Sequence, residues 1–315
     1  MKLDINVVSS CYTIIVTYNA TRNNWLQKCL DSLLKSTLKT EIIIVDNLST
    51  DETVKVIKLK YPSVHLIENK ENKGFGGANN QGLKYALESG GEYFFLLNQD
   101  AWVEENTIEK LVYQLKGNPE YGIVSPLHLN GEGSALDLKF SNQISPYSCP
   151  NLYSDFVLNK VKDEIYETKF VCAAAWMISK ACLKKVGGFN PVFFHYGEDD
   201  NYCHRLHYHK LKIGIYPKTS IFHDRKDRPK SLYEEREEQN KRTILNKLSN
   251  PNISSINHLY QTKKQIKTKI LKSKILLQKD AYKHFRKELK MIDSNEEELM
   301  KNLEISKVAD KFAFL

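Results

Sequence analysis

The first 125 residues alternate short apolar runs with amphipathic stretches, a rhythm that few folds accommodate. Residues 13–18 read as a buried strand, and Trp25, Leu26, Cys29, Leu30, Leu33 and Leu34 recur at helical spacing after the turn-forming Asn23 and Asn24. Residues 41–45 are the next strand. Ser49 and Glu52 have capping-box spacing at the head of a helix carrying Val54, Ile57 and Tyr61, which Pro62 ends. Residues 64–67 form a third strand, 72–77 a glycine-containing turn, 78–87 a helix and 93–97 a fourth strand; Ile108, Leu111, Val112 and Leu115 mark a further helix. This order predicts an α/β fold with a mostly parallel, doubly wound central sheet flanked by helices.

After Pro126 the pattern loosens. Residues 127–168 are rich in Asn, Ser, Gly and Pro and read as loops or an excursion that shapes a binding face. Residues 170–178 are apolar again, followed by a short helix, the Gly187 and Gly188 break, and the aromatic cluster Phe189, Phe193 and Phe194. A helix to Tyr208 and a strand over 212–216 complete a domain placed at residues 1–229, with the boundary near Pro229. Residues 230–315 read as a helical, highly charged region. The full chain of 315 residues with 41% apolar residues supports a substantial core. Its six cysteines lack any CxxC spacing, which predicts reduced structural thiols instead of a zinc site.

Polar residues terminate each of the four apolar runs: Tyr18 and Asn19; Asp46 and Asn47; Asn72 to Gly77; and Asn98, Gln99 and Asp100. In a parallel sheet these ends collect along one edge, where open α/β sheets bind ligands. Each alone also suits a turn or a helix cap, because Asn, Asp and Gly favour turns. The glycine segment follows the third strand, so it is no dinucleotide fingerprint, which follows the first. Gly74, Gly76 and Gly77 suit either a tight turn or close backbone approach to a nucleotide or sugar.

Thr17-Tyr18-Asn19, then Val45-Asp46-Asn47 with Ser49, Thr50 and Asp51, then Asn72-Lys73-Gly74-Phe75-Gly76-Gly77-Ala78-Asn79-Asn80, then Asn98-Gln99-Asp100, and finally Glu198, Asp199, Arg205 and His223 follow one another in an order that resembles family-two inverting glycosyltransferases of the GT-A fold. The resemblance covers roughly the first 225 residues, and its glycine and Asn98 segments most resemble the rhamnosyltransferase-like branch. It implies a nucleotide-sugar donor such as dTDP-rhamnose or a UDP-hexose, held by Thr17, Tyr18, Asn19, Asp46, Lys73, Gly74, Asn79, Asn80, Asn98 and Gln99. It further implies Mn²⁺ or Mg²⁺ at Asp100 and His223, Asp199 as general base, and Glu198 beside it positioning substrate. Asn98 stands where the family usually has Asp; an amide oxygen ligates a hard cation without contributing charge. The implied acceptor is a glycan or lipid-linked saccharide of a bacterial surface polysaccharide.

Those roles make chemical sense. A cation bridging a departing diphosphate offsets its developing charge, and a hydroxyl nucleophile needs a carboxylate to take its proton. Glu198, Asp199 and Asp200 also suit a simple acidic helix start, favourable with the helix dipole. His195, His204, His207 and His209 read as surface or packing histidines. Two other readings are a sugar nucleotidyltransferase, which would carry a glycine-rich loop after the first strand, and an inactive glycan- or membrane-binding scaffold.

Charge is unevenly placed. Between Lys241 and Lys290 fourteen Lys and Arg face two acids, a local +12 against +8 for the whole chain. Ile266, Ile270 and Leu277, with Leu271 and Ile275 adjacent, form an apolar face bordered by lysines, which fits either an interfacial helix on an anionic membrane surface or a helix packed on the catalytic domain or on another subunit of a homo-oligomer. Nucleic acid is not an expected partner, because no recognisable motif accompanies the basic stretch. With no signal-like N-terminus and no long apolar run, the expected location is cytoplasmic, peripheral at the inner face of the cell membrane.

Overall fold

The structure is a computed structural model and describes residues 10–225, 235–253 and 255–315. The apolar runs become β1 (Cys11–Thr17), β2 (Glu41–Asp46), β3 (His65–Glu68) and β4 (Tyr93–Leu97), all parallel in the order β3-β2-β1-β4. They are linked by α1 (Trp25–Lys35), α2 (Thr53–Lys60) and α3 (Gly74–Glu88). α1 buries Trp25, Leu26, Cys29, Leu30 and Leu33, as its spacing requires, while Leu34 is exposed. The capping box at Ser49 and Glu52 does not form. Ser49 turns back to donate to Asp46, and the Asp51 carboxylate accepts from the Thr53 N–H instead.

The remaining elements are β5 (Ala101–Val103), α4 (Thr107–Gly117), β6 (Tyr121–Asn130), α5 (Leu138–Ser141), α6 (Pro150–Val157), β7 (Tyr166–Thr168), β8 (Ala175–Ser179), α7 (Lys180–Val186), α8 (Glu198–Tyr208) and β9 (Lys212–His223). β8 enters antiparallel to both β4 and β6, so the sheet is parallel through its first half and mixed beyond it. β9 runs well past the expected strand at 212–216. Pro217 has no N–H to donate, the register with β6 slips between Pro126 and Leu127, and the bent strand pairs with β7 along its first half and β5 along its second. The last pairing sets Ala101 opposite His223, which brings Asp100 to the end of β9.

Apolar cores cover both faces of the sheet. Trp176 is fully buried, with Phe189 at 5.9 Å and Tyr202 at 5.4 Å between ring centroids, so it packs and does not line a pocket. Each such side chain contributes about 1.5–3 kcal/mol by leaving water.

The C-terminal region folds as α9 (Arg236–Ser249), α10 (Ile256–Ile275) and α11 (Lys279–Lys307). These share a core with Phe193. Ile266 is buried and Ile270 packs against the same core, so α10 cannot lie flat on a membrane through that face. The last residues return to the sheet-bearing part of the chain: the Ala313 carbonyl accepts from Gly188 N at 2.7 Å and the Ser306 carbonyl meets His209 Nε2 at 2.9 Å. The boundary expected near Pro229 lies outside the described residues. Among the described residues no helix is long and apolar enough to cross a membrane.

Candidate active site

The strand ends assemble by direct bonds. Thr17 Oγ1 donates to Asp46 Oδ1 at 2.9 Å, and Ser49 supplies its N–H to Asp46 Oδ2, so Asp46 sits nearly buried with its carboxylate fixed. Gln99 pairs with the Tyr18 backbone in both directions, accepting from its N–H at 2.8 Å and donating to its carbonyl at 3.1 Å. Asn19 adopts φ +50° and accepts from Thr50 N at 2.8 Å. The Tyr18 ring is left exposed above this frame, available to a flat ligand.

Asn47, which the sequence marks only as a strand end, is the hub of the next layer. Its side chain accepts from Lys73 N at 2.8 Å and donates to Asn72 Oδ1 and to the Gly74 carbonyl. Lys73 is thereby placed at the head of α3. Gly74 has φ +72°, and a Cβ there would stand 2.0 Å from the Phe194 carbonyl oxygen, so the close approach this glycine permits is to the Phe194 backbone. Asn79 is buried and bonded within its own helix to the Phe75 carbonyl. Asn80 pairs both ends of its amide with the Phe189 backbone, at 2.8 and 2.7 Å. Gly74 and Asn80 therefore clamp α3 to the 187–197 segment, while Asn79 bonds only within its helix.

Asp100 Oδ1 lies 3.4 Å from His223 Nε2, both side chains almost fully buried. Burial and the neighbouring Arg225 hold the imidazole neutral, with its pKa down to about 3. Arg225 is itself held by Asp137 Oδ2 at 2.9 Å, a buried carboxylate that also caps the Phe140 N–H. Asn98 Oδ1 is buried without a hydrogen-bond partner, an orphan that normally signals something missing from its surroundings. A neutral histidine, one carboxylate and an unsatisfied amide oxygen suit a hard cation that takes its remaining ligands from water and phosphate. No group of three or more His, Cys, Asp and Glu that could hold a metal occurs among the described residues.

The sequence's acid cluster forms the first turn of α8, entered through Gly197 at φ +92°. Glu198, Asp199 and Asp200 line a cavity of about 880 Å³ together with Asn98, Lys139 and Arg225. Burial raises the Asp199 pKa, while the Asp200 N–H at 2.9 Å and the Arg225 charge pull the other way. Burial and the Asp199 charge push Glu198 well up and Asp200 up to about 7. Glu198 Oε2 is buried with no partner.

Several lining residues escape the sequence reading. Arg242, Gln239, Thr243 and Asn246 of α9 close the cavity from the C-terminal region, and Arg242 stacks 5.0 Å over Tyr196. No motif marks them. Asp137 had a signal, since Asp three residues before Phe140 has N-cap spacing, but it lay in a segment without periodicity. His195 and His204 line the cavity, and burial lowers both pKa values.

A curled mixed sheet whose parallel strands end in these polar residues, with Asn98 alone of the strand ends lining the acid-bearing cavity, is the GT-A fold. The chain belongs to glycosyl transferase family 2, whose family model matches residues 12–187. A model described as the N-terminal domain of galactosyltransferase matches residues 157–231. Among relatives, a low-salt glycan biosynthesis hexosyltransferase, Agl10 of Haloferax volcanii, is 27% identical over 175 residues, 55% of each chain. The dTDP-rhamnosyl transferase RfbF of Shigella flexneri is 26% identical over 222 residues, covering 68% of this chain and 69% of that protein. The chain thus spans about half the length of the first and two thirds of the second. Of solved structures, S. aureus TarS 1-349 in complex with UDP-GlcNAc superposes with TM-score 0.56 at 13% identity over 81% of this chain and 70% of that one. GalNAc-T7 with UDP, GalNAc and Mn²⁺ gives 0.53 at 18% over 70% and 44%. At these identities the two structures speak for the fold alone.

Proposed function

We propose that this chain transfers a sugar from a nucleotide-sugar donor to a hydroxyl of a glycan or lipid-linked saccharide, inverting the anomeric centre in a single displacement. The observation that carries the reading is the placement of Asp199 and Asn98 on one cavity, the first at the start of α8 and the second at the end of β4. Asp46, Tyr18 and Asn19 form the frame for the nucleotide, and Lys73 at the head of α3, whose ammonium pairs with the exposed Glu71 at 3.0 Å, would exchange that partner for a donor phosphate. The likeness to a dTDP-rhamnosyl transferase favours dTDP-rhamnose among donors, with a UDP-hexose as the other choice.

Asp199 takes the acceptor's proton. Burial gives it a basicity above that of an ordinary carboxylate, and its backbone and Arg225 contacts keep the ionised form accessible, a compromise suited to a general base. Glu198 retains its own proton and can donate a hydrogen bond to a substrate oxygen. Mn²⁺ or Mg²⁺ would be held by Asp100, His223 and the Asn98 oxygen, and when bound it offsets charge on the departing diphosphate. His223 must present an unprotonated nitrogen, which its neutral state allows.

The test is turnover. The protein is incubated with a panel of nucleotide sugars and saccharide acceptors, nucleoside diphosphate release is followed, and the product's anomeric configuration is read by NMR. Release from one donor with an inverted product supports the proposal. A retained configuration, or full activity in Asp199→Asn, overturns it.

A further inference from the structure

The turn between α10 and α11 presents three consecutive apolar residues to solvent. Ile275, Leu276 and Leu277 are 69%, 63% and 84% exposed, and Leu271 one turn earlier is 59% exposed. Two helices joined by so short a turn and packed on a common core form a hairpin, and these residues are its tip. Ile266 and Ile270 satisfy that core from within, so nothing in the fold calls for further leucines at the end.

Leu277 is also in the wrong conformation for its type. Its φ is +54°, in the left-handed region that glycine and asparagine adopt readily and leucine does not. Solvation and backbone geometry both favour Asn or Gly at this position, yet a leucine stands there at nearly full exposure. Charge surrounds it: between Leu271 and Lys287 six Lys and Arg face one acid, Asp280. The groove behind the tip, about 1000 Å³, is walled by Lys267, Lys274, Lys283, Arg286 and Lys290, with Asp293 the one acid of its lining.

We propose that this tip docks the protein on a bilayer with anionic headgroups, the three apolar side chains entering the interface and the flanking cations meeting the phosphates. The hairpin thus engages end-on, through residues its own core does not use. Charge complementarity selects the lipid over a second copy, since two tips of this charge repel each other.

Full-length protein is sedimented with phosphatidylcholine vesicles with and without phosphatidylglycerol, at low and high salt. Binding is expected to anionic vesicles and to fall as salt rises. Leu277→Asn relaxes the turn, so its melting temperature should hold or rise while vesicle partitioning drops about tenfold. Replacing Lys274, Lys279 and Lys283 by Gln should weaken binding to anionic vesicles and leave neutral ones unaffected. Failure of the parent to bind anionic vesicles overturns the proposal, as does unchanged binding by Leu277→Asn. So does concentration-dependent self-association that the Leu277→Asn variant abolishes, which would assign the tip to a protein contact. None of these outcomes bears on donor turnover in solution.

Discussion

Gly74 separates two physical accounts of the same sequence motif. If the glycine exists to let a ligand approach, replacing it by alanine harms donor binding in an otherwise intact fold. The structure gives a different expectation, because the space beyond Gly74 is filled by the Phe194 carbonyl, 2.0 Å from where a Cβ would stand. The carbonyl must retreat by about 1 Å before the contact reaches even 3.0 Å. That movement breaks the 3.1 Å bond from Phe75 N to the same oxygen. Losing the bond costs about 1 kcal/mol, placing alanine at left-handed φ about 1–2 kcal/mol, and shifting packed backbone about 1–2 kcal/mol more. Gly74→Ala should therefore lose about 4 kcal/mol, or roughly 10 °C in Tm by thermal unfolding. Phe194 stands four residues before Glu198, so kcat should fall with the acids displaced, more than the donor KM rises. Gly77→Ala is the control: its Cβ meets only Lys73 Cβ at 3.4 Å in regular helix, so it should gain about 0.5–1 kcal/mol. An unchanged Tm in Gly74→Ala together with a tenfold loss of donor affinity would refute the packing account.

Asp199→Asn should lower kcat by about 10²- to 10⁴-fold with donor affinity retained, measured by steady-state kinetics and donor titration. Because Asp199 must be ionised to act and burial raises its pKa, kcat/KM of the parent should climb with pH through a limb above the ordinary carboxyl range and then level off, and Asn should abolish that limb. Asn98→Asp adds a charge beside Asp100, so the Mn²⁺ concentration that half-stabilises the protein against heat should fall about tenfold, while the metal-free variant melts earlier; equal Mn²⁺ response in both proteins would remove Asn98 from the metal site. For Glu198, the raised native pKa means that the folded state holds the proton more tightly than the unfolded one, so the stability present below the unfolded pKa near 4.3 is lost as pH rises through the native value. Glu198→Gln should accordingly match the parent at pH 4 and exceed its Tm at pH 8.

What the sequence makes legible is whatever leaves a periodic or local trace. The four strand ends are visible because each apolar run stops at a polar residue, and the parallel sheet then brings Thr17, Asp46 and the Gln99 amide together without further instruction. The Asp100 and His223 pair depends on a β5–β9 register that no local pattern encodes, and only the resemblance to a family points to it. Clamping by Gly74 and Asn80 is hidden for a different reason. The spacing that admits a ligand's approach is the same spacing that admits a neighbouring backbone, and only the three-dimensional course of residues 187–197 decides between them.

The 187–197 segment is where the two halves of the chain meet. Arg205 is fully buried and donates to the carbonyls of Val186 and Gly188 and to Asn201, with its guanidinium 5.1 Å from the Phe314 ring, and burial draws its pKa down to about 10. No carboxylate is among these partners, so the charge is satisfied entirely by dipoles that fix the start of the segment. The Ala313 carbonyl accepts from Gly188 N and lies against Gly187, Asn302 donates to Asn190 at 3.0 Å, and Asn80 holds Phe189 from α3. The segment then has little freedom before it reaches Gly197 and the acids of α8. For the reaction proposed above, the C-terminal region would act twice, once by lining the cavity through α9 and once by immobilising the approach to Asp199.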